Sequence, residues 1–244
     1  MINFFGCSFT EGGGLDDAKY YNFKNNTNLQ QSGKDLDIIR NWRDEHRYSN
    51  LISKKLDTPI KNYAEGANSN ENIFNKLFEI INLESTEKND IFIVQLTIPM
   101  RRYYWYEPEN RFFNINAIHE FEWPYRNENK MMALNVMYKM YLEYSYNEKY
   151  ENQKILNNID LFNEYSKNKG IKIFWTPWTN LGNYQSIKNK NIIFFDEDSM
   201  GTYIDKNNLT IKNDNNVGLM DMHKSIYGHE VVANKIVEYL KDKI

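Results

Sequence analysis

An α/β fold, a three-layer α/β/α sandwich around a central five-stranded parallel sheet, is predicted by three observations. Five short, nearly continuous apolar runs are spread along the 244 residues, as expected of strands covered on both faces. Segments with apolar residues at helical spacing separate most of them. Strands alternating with helices favour a parallel sheet with helices on both sides.

The elements follow in chain order. Ile2 to Phe5 is the first strand, broken at Gly6. Tyr48, Leu51, Ile52 and Leu56 recur at helical spacing before a short second strand, Pro59 to Tyr63. Asn70 to Leu83 carries Ile73, Phe74, Leu77, Phe78, Ile80 and Ile81, with Asn70 or Ser69 as its N-cap. Asp90 to Thr97 is the third strand. Asn129 to Lys169 holds one long helix or two, and its second half stops at Gly170, a glycine suited to the helix C-terminus. Ile171 to Thr176 and Asn191 to Phe195 are the fourth and fifth strands. Ser225 to Lys243 closes the chain, with Val231, Val232, Ile236, Val237 and Leu240 on one face. Met131, Met132, Met137 and Met140 read as core or interface filler.

No linker composition divides the chain, so one domain over 1–244 is expected. Two segments, Glu11 to Asn41 and Ile98 to Glu128, read as long irregular insertions at about 11–41 and 98–128. Both follow strands at their carboxyl ends and should overhang a site there.

Composition excludes several classes. Thirty basic and 33 acidic residues give a net charge of -3, and their interspersion offers no basic field for nucleic acid. One cysteine excludes an internal disulfide framework, and no Cys/His cluster has zinc spacing. Neither a metal nor an organic cofactor is expected. No stretch approaches the ~18 to 20 apolar residues of a membrane span, and no basic-then-apolar leader opens the chain. A cytoplasmic protein is expected, with virion association as the alternative. Oligomeric state has no signal.

The chemistry gathers at Gly6-Cys7-Ser8-Phe9-Thr10. A buried strand that breaks at a glycine delivers Ser8 to the carboxyl end of the sheet, where ligands of open α/β folds bind. A serine there needs a base. Asp221-Met222-His223 supplies one, so a Ser/His/Asp set can be drawn from the two chain ends. Each residue also has a plainer role. Ser8 could cap a helix, His223 could be a solvated loop residue, and Asp221 could cap its loop. Cys7 reads as a small buried hydrophobe, and His229 as a packing or capping residue of the last helix.

These blocks resemble the SGNH/GDSL hydrolase family, whose motifs span this chain from Gly6 to His229. Gly6-Cys7-Ser8-Phe9-Thr10 is similar to a variant "GCSFT" nucleophile block. Asn62-Tyr63-Ala64-Glu65-Gly66-Ala67-Asn68-Ser69-Asn70 resembles the second block, which lends a glycine N–H to the oxyanion hole. Gly66 or its neighbour Ala67 stands at that position. The third block departs from the family. Val94-Gln95-Leu96-Thr97-Ile98-Pro99-Met100-Arg101 lacks the usual asparagine, leaving Thr97, Gln95 or Arg101 as a substitute donor. The last block is one residue short, Asp221-Met222-His223 for Asp-x-x-His. Its sequel Gly228-His229-Glu230-Val231-Val232-Ala233 matches "G-H-x-x-x-A" and sets the register.

The resemblance implies a flavodoxin-like, SGNH-hydrolase type of layering and a serine esterase without metal or cofactor. Ser8, His223 and Asp221 would be catalytic, with a Ser8–His223 dyad as the variant. Ser8, Gly66 and Thr97 would form the oxyanion hole, and Arg101, Asn70 and Trp178 would contact substrate. Aromatic-rich loops lean toward a small-molecule or glycan ester, in particular an O-acylated carbohydrate. The alternative is a catalytically degenerate module kept for binding or structure, for instance in a virion or a surface-polymer system. A nucleotide binder is weaker, because Glu11-Gly12-Gly13-Gly14 lacks a phosphate-loop sequel.

Overall fold

The computed structural model describes residues 1–13, 15, 33–66, 68–83, 86–106, 111–115, 128–182, 190–210 and 224–244. Its centre is a parallel sheet of β1 (Ile2–Phe5), β2 (Ile60–Asn62), β3 (Ile91–Leu96) and β6 (Lys172–Pro177) in the order β2-β1-β3-β6. The register pairs Ile2 with Ile60 and with Ile91, and Ile91 with Lys172.

The alternating side chains of the sheet divide two cores. Ile2, Phe4, Ile91, Ile93 and Phe174 face α3 (Tyr48–Leu56) and α8 (Ile226–Leu240). Phe5, Phe92, Val94, Leu96, Ile173 and Trp175 face α4 (Asn70–Ile81) and α6 (Glu148–Lys169). Helices on both faces make the three-layer α/β/α architecture that the apolar runs predict.

The fifth run is reduced to a single parallel bridge, Trp175 with Ile192, held by Trp175 N–H to Asn191 O at 2.9 Å and Ile193 N–H to Trp175 O at 2.8 Å. The sheet therefore has four strands rather than five. Asn191, Asp196 and Glu197 all adopt positive φ (56, 51 and 69°), so the chain turns at both ends of the run before a ladder can extend.

Regular structure also occurs inside both segments read as irregular. Gly33–His46 forms helix α2, none of whose described side chains is buried, so its apolar residues leave a weak periodic signal. Arg102–Tyr106 (β4) and Arg111–Ile115 (β5) pair as an antiparallel ribbon. Short helices α1 (Ser8–Glu11) and α7 (Met200–Lys206) complete the set with α5 (Glu128–Tyr144). The long helical stretch is thus two helices, and Gly170 ends the second in a left-handed turn (φ 71°). Of the methionine series, Met137 and Met140 are exposed rather than in the core. No helix among the described residues is long and apolar enough to cross a membrane.

Candidate active site

The sheet order reverses between β1 and β3, because β2 lies on one side of β1 and the later strands on the other. In such sheets the crevice outside the carboxyl ends of the two strands at the reversal is the ligand position. Ser8 leaves one of them and Thr97 the other.

Ser8 is the first residue of α1, half-buried, a short step past the end of the strand. The turn behind it is crowded. A Cβ on Gly6 would stand 2.3 Å from Thr10 Oγ1 and 3.0 Å from Gln95 Oε1, so the motif needs glycine for close approach. Cys7 points into the core, its Sγ donating to Gln95 Oε1 at 3.3 Å. Thr10 Oγ1 donates to the same oxygen at 3.1 Å and lies 2.7 Å from the Tyr48 hydroxyl. Gln95 Nε2 donates to Leu96 O. Gln95 Oε1 and one Nε2 N–H are thus engaged beneath the turn, tying Gln95 into the network under Ser8.

The loop after β2 closes over Gly6. Glu65 N–H and Asn68 Nδ2 both donate to Gly6 O at 3.2 Å, which places Gly66 beside the Ser8 turn. A Cβ on Gly66 would lie 3.2 Å from Glu11 Oε2. Ala67, the neighbouring alternative, lies outside the described residues.

The β3 exit is arranged differently. Thr97 N–H donates to Asn70 Oδ1 at 2.8 Å, and Asn70 Nδ2 donates to Thr97 O at 3.0 Å. This reciprocal pair ties the Asn70 amide to the main chain of Thr97 and positions the β3 exit. The Thr97 hydroxyl is buried without a hydrogen-bond partner among the described residues. Arg101 is 5% exposed. Its Nη1 donates to Asn68 O at 3.3 Å and its Cζ lies 6.0 Å from the Phe9 ring centroid, while Nε is buried and unpartnered among the described residues.

Trp178 stands behind the turn. Its ring stacks on Phe9 at 3.6 Å and 8°, and its carbonyl accepts from Ser199 Oγ and Gly201 N–H at 3.0 Å. Only 3% of it is exposed. Trp178 supports Phe9 from within the core.

Lys224 carries no signal in the sequence, because a lysine between His223 and Ser225 reads as surface. It is fully buried. Its Nζ donates to Phe9 O at 2.9 Å and faces the Tyr48, Phe9 and Trp178 rings at 5.1, 5.4 and 5.5 Å. Burial pushes its ammonium down to about 7, with the Cys7 thiol acting in the opposite direction. Tyr48 moves the other way, its hydroxyl pushed up by burial against the Thr10 hydrogen bond.

His229 is buried on α8, its Nδ1 accepting from Tyr48 N–H at 3.1 Å, the packing role expected of it. His223 and Asp221 lie outside the described residues. Among the described residues, no group of His, Cys, Asp and Glu is placed to hold a metal ion.

No protein-family model and no curated protein sequence matches this chain. Two solved structures are similar at low identity. One is an active-site mutant of a family two carbohydrate esterase from Clostridium thermocellum, at 12% identity and TM-score 0.38, covering 99% of this chain and 63% of that one. The other is a carbohydrate esterase whose active site displays divergent catalytic and non-catalytic binding functions, at 13% identity and TM-score 0.38, covering 99% and 64%. This chain therefore spans somewhat under two thirds of the length of each.

Proposed function

We propose that this chain is a single-domain serine esterase of the SGNH type, acting on an O-acylated carbohydrate through an acyl-enzyme. The observation that carries the reading is the convergence of the chain ends at the β1 exit. Lys224, the residue after His223, is held to Phe9 O at 2.9 Å, and Phe9 follows Ser8. That contact spans 215 residues of sequence and ties the start of the last segment, at Lys224, to the turn that carries Ser8.

A serine hydroxyl is a weak nucleophile at neutral pH and needs a neighbouring base. In this reading His223 takes the Ser8 proton as Oγ attacks the ester carbonyl, then returns it to the leaving alcohol. Asp221 orients the imidazole. The N–H groups of Ser8 and Gly66 bind the oxyanion, with the Thr97 hydroxyl as third donor. Water then releases the acyl group. The carbohydrate class rests on the β4–β5 ribbon, which follows Arg101 directly and carries Tyr103, Tyr104, Trp105, Tyr106, Phe112 and Phe113. Rings of this kind offer stacking surfaces to sugars. The localisation expected with this role is cytoplasmic or virion-associated.

A serine-directed fluorophosphonate and a panel of acetylated sugars and short-chain aryl esters test the reading. Wild type should label at Ser8 and turn over at least one ester, and Ser8→Ala should lose both, by on the order of 10⁴-fold or more in rate. Equal turnover by the two proteins would overturn the mechanism. Folded wild type that neither labels nor hydrolyses would point instead to a fold kept for binding or assembly.

A further inference from the structure

Two adjacent arginines follow β3 and meet opposite circumstances. Arg102 Nη1 lies 2.6 Å from Glu71 Oε1, its Nη2 lies 2.6 Å from Glu151 Oε1, and its Cζ lies 4.2 Å from the Tyr141 ring centroid. Its charge is fully compensated, and it clamps β4 to α4, α5 and α6. Arg101 is more buried than Arg102 by side chain yet has no ion-pair partner among the described residues.

Its one hydrogen bond is to a main-chain carbonyl, Asn68 O, and its Nε has none among the described residues. A buried guanidinium without a counter-charge is costly, and planar guanidinium recognises carboxylate and phosphate through paired N–H groups. The nearest carboxylate on the nucleophile helix, Glu11, is engaged with Arg43 at 3.7 Å. A second buried cation, Lys224, stands 5.4 Å from the same Phe9 ring that Arg101 approaches. The unpartnered Thr97 hydroxyl lies on the same strand exit. Among the described residues, both orphaned polar atoms of the β3 exit are buried, and Arg101 is linked to the Ser8 turn through Asn68, whose O accepts from Nη1 and whose Nδ2 donates to Gly6 O.

We propose that Arg101 is a specificity-determining residue that binds an anionic group on the ligand, so that the preferred carbohydrate ester is that of an acidic sugar with a free carboxylate. The inference rests on the esterase reading for the ester and on Arg101 alone for the acid. The sequence neighbour that looks equivalent, Arg102, cannot serve, since two glutamates already satisfy it.

The test uses a matched pair of mono-O-acetylated methyl glycosides, one a hexuronate and the other its parent hexose, with affinities to Ser8→Ala measured by calorimetry. The uronate should bind roughly tenfold or more tightly, a preference that weakens as salt rises. Introducing Arg101→Gln into that protein should bring the ratio of the two affinities close to one, and Arg101→Lys should keep part of it. Equal affinity for the two glycosides, or binding of neither, overturns the proposal. A preference that survives Arg101→Gln in folded protein also overturns it. Wild-type protein tests the chemistry separately: carboxylate-dependent binding without hydrolysis of either ester would leave the inference standing and remove the esterase reading.

Discussion

The exits of β1 and β3 are neighbours in the sheet, but they treat their polar atoms in opposite ways. Behind Ser8, the Cys7 thiol, the Thr10 and Tyr48 hydroxyls and the Gln95 amide bond to one another in one closed network. Behind Thr97, the hydroxyl of that residue and the Nε of Arg101 are buried with nothing to bond among the described residues. Native interiors leave few such groups unsatisfied. The difference sets a turn held by a bonded network beside an exit that carries two buried, unmet hydrogen-bonding atoms.

Changing the two exits in turn can break that contrast. The largest effect is expected from Thr97→Val, an isosteric change that deletes the orphaned hydroxyl. Turnover should fall by about a hundred- to a thousandfold, the usual loss for one oxyanion donor, while the denaturation midpoint stays put or rises, since an unsatisfied buried group is removed. A loss of stability without a loss of rate would make Thr97 a structural residue. At the β1 exit, Gly6→Ala should do the reverse of that stability result. Its new methyl meets Thr10 and Gln95 in a packed site, and overpacking of this kind costs about 1–3 kcal/mol, readable by urea unfolding.

Asn70→Ala should cost a similar or smaller amount, about 1–3 kcal/mol, by stranding the Thr97 N–H and C=O that it now pairs. A further effect is one of slope. Lys224 holds its proton in the folded state only to about pH 7, against an ordinary value of 10.5. Between those values the unfolded chain binds more protons, so stability should climb as pH rises from about 7 toward 10 and be lost again as pH falls back through 7. Tyr48, pushed upward by burial, acts in the opposite sense above ~10, where the unfolded phenol ionises first. Lys224→Met should flatten the climb in thermal melts taken at successive pH values. An unchanged slope would show that Lys224 does not cause it.

The strands were legible because burial on both faces leaves an apolar run, as in Ile91-Phe92-Ile93-Val94. Gly170 and Ser69 were legible because helix ends use local chemistry, a left-handed turn in one case and a cap accepting from Asn72 N–H in the other. Helix α2 and the β4–β5 ribbon were not, since no described side chain of α2 is buried and a ribbon is defined by a pairing partner rather than by its own residues. The fifth strand failed on left-handed residues that composition does not reveal. At the candidate site, the placement of Ser8 at the β1 exit and of Gly66 beside that turn could be read from their motifs. That Asn70 was already committed to Thr97, and Trp178 to Phe9, depended on contacts between distant segments. Lys224 was invisible for the same reason, because nothing local marks a lysine destined for an aromatic interior.

The position of β1 has a consequence for biogenesis. It precedes its sheet neighbours in the chain, yet it sits inside the sheet between β2 and β3, and Phe9 O meets Lys224 only across a separation of 215 residues. A ribosome would release the nucleophile turn long before the lysine that secures it. Both strands that flank β1 are complete by Leu96, but the Ile2 and Phe4 face that packs on α8 stays uncovered through most of translation, until the last helix docks.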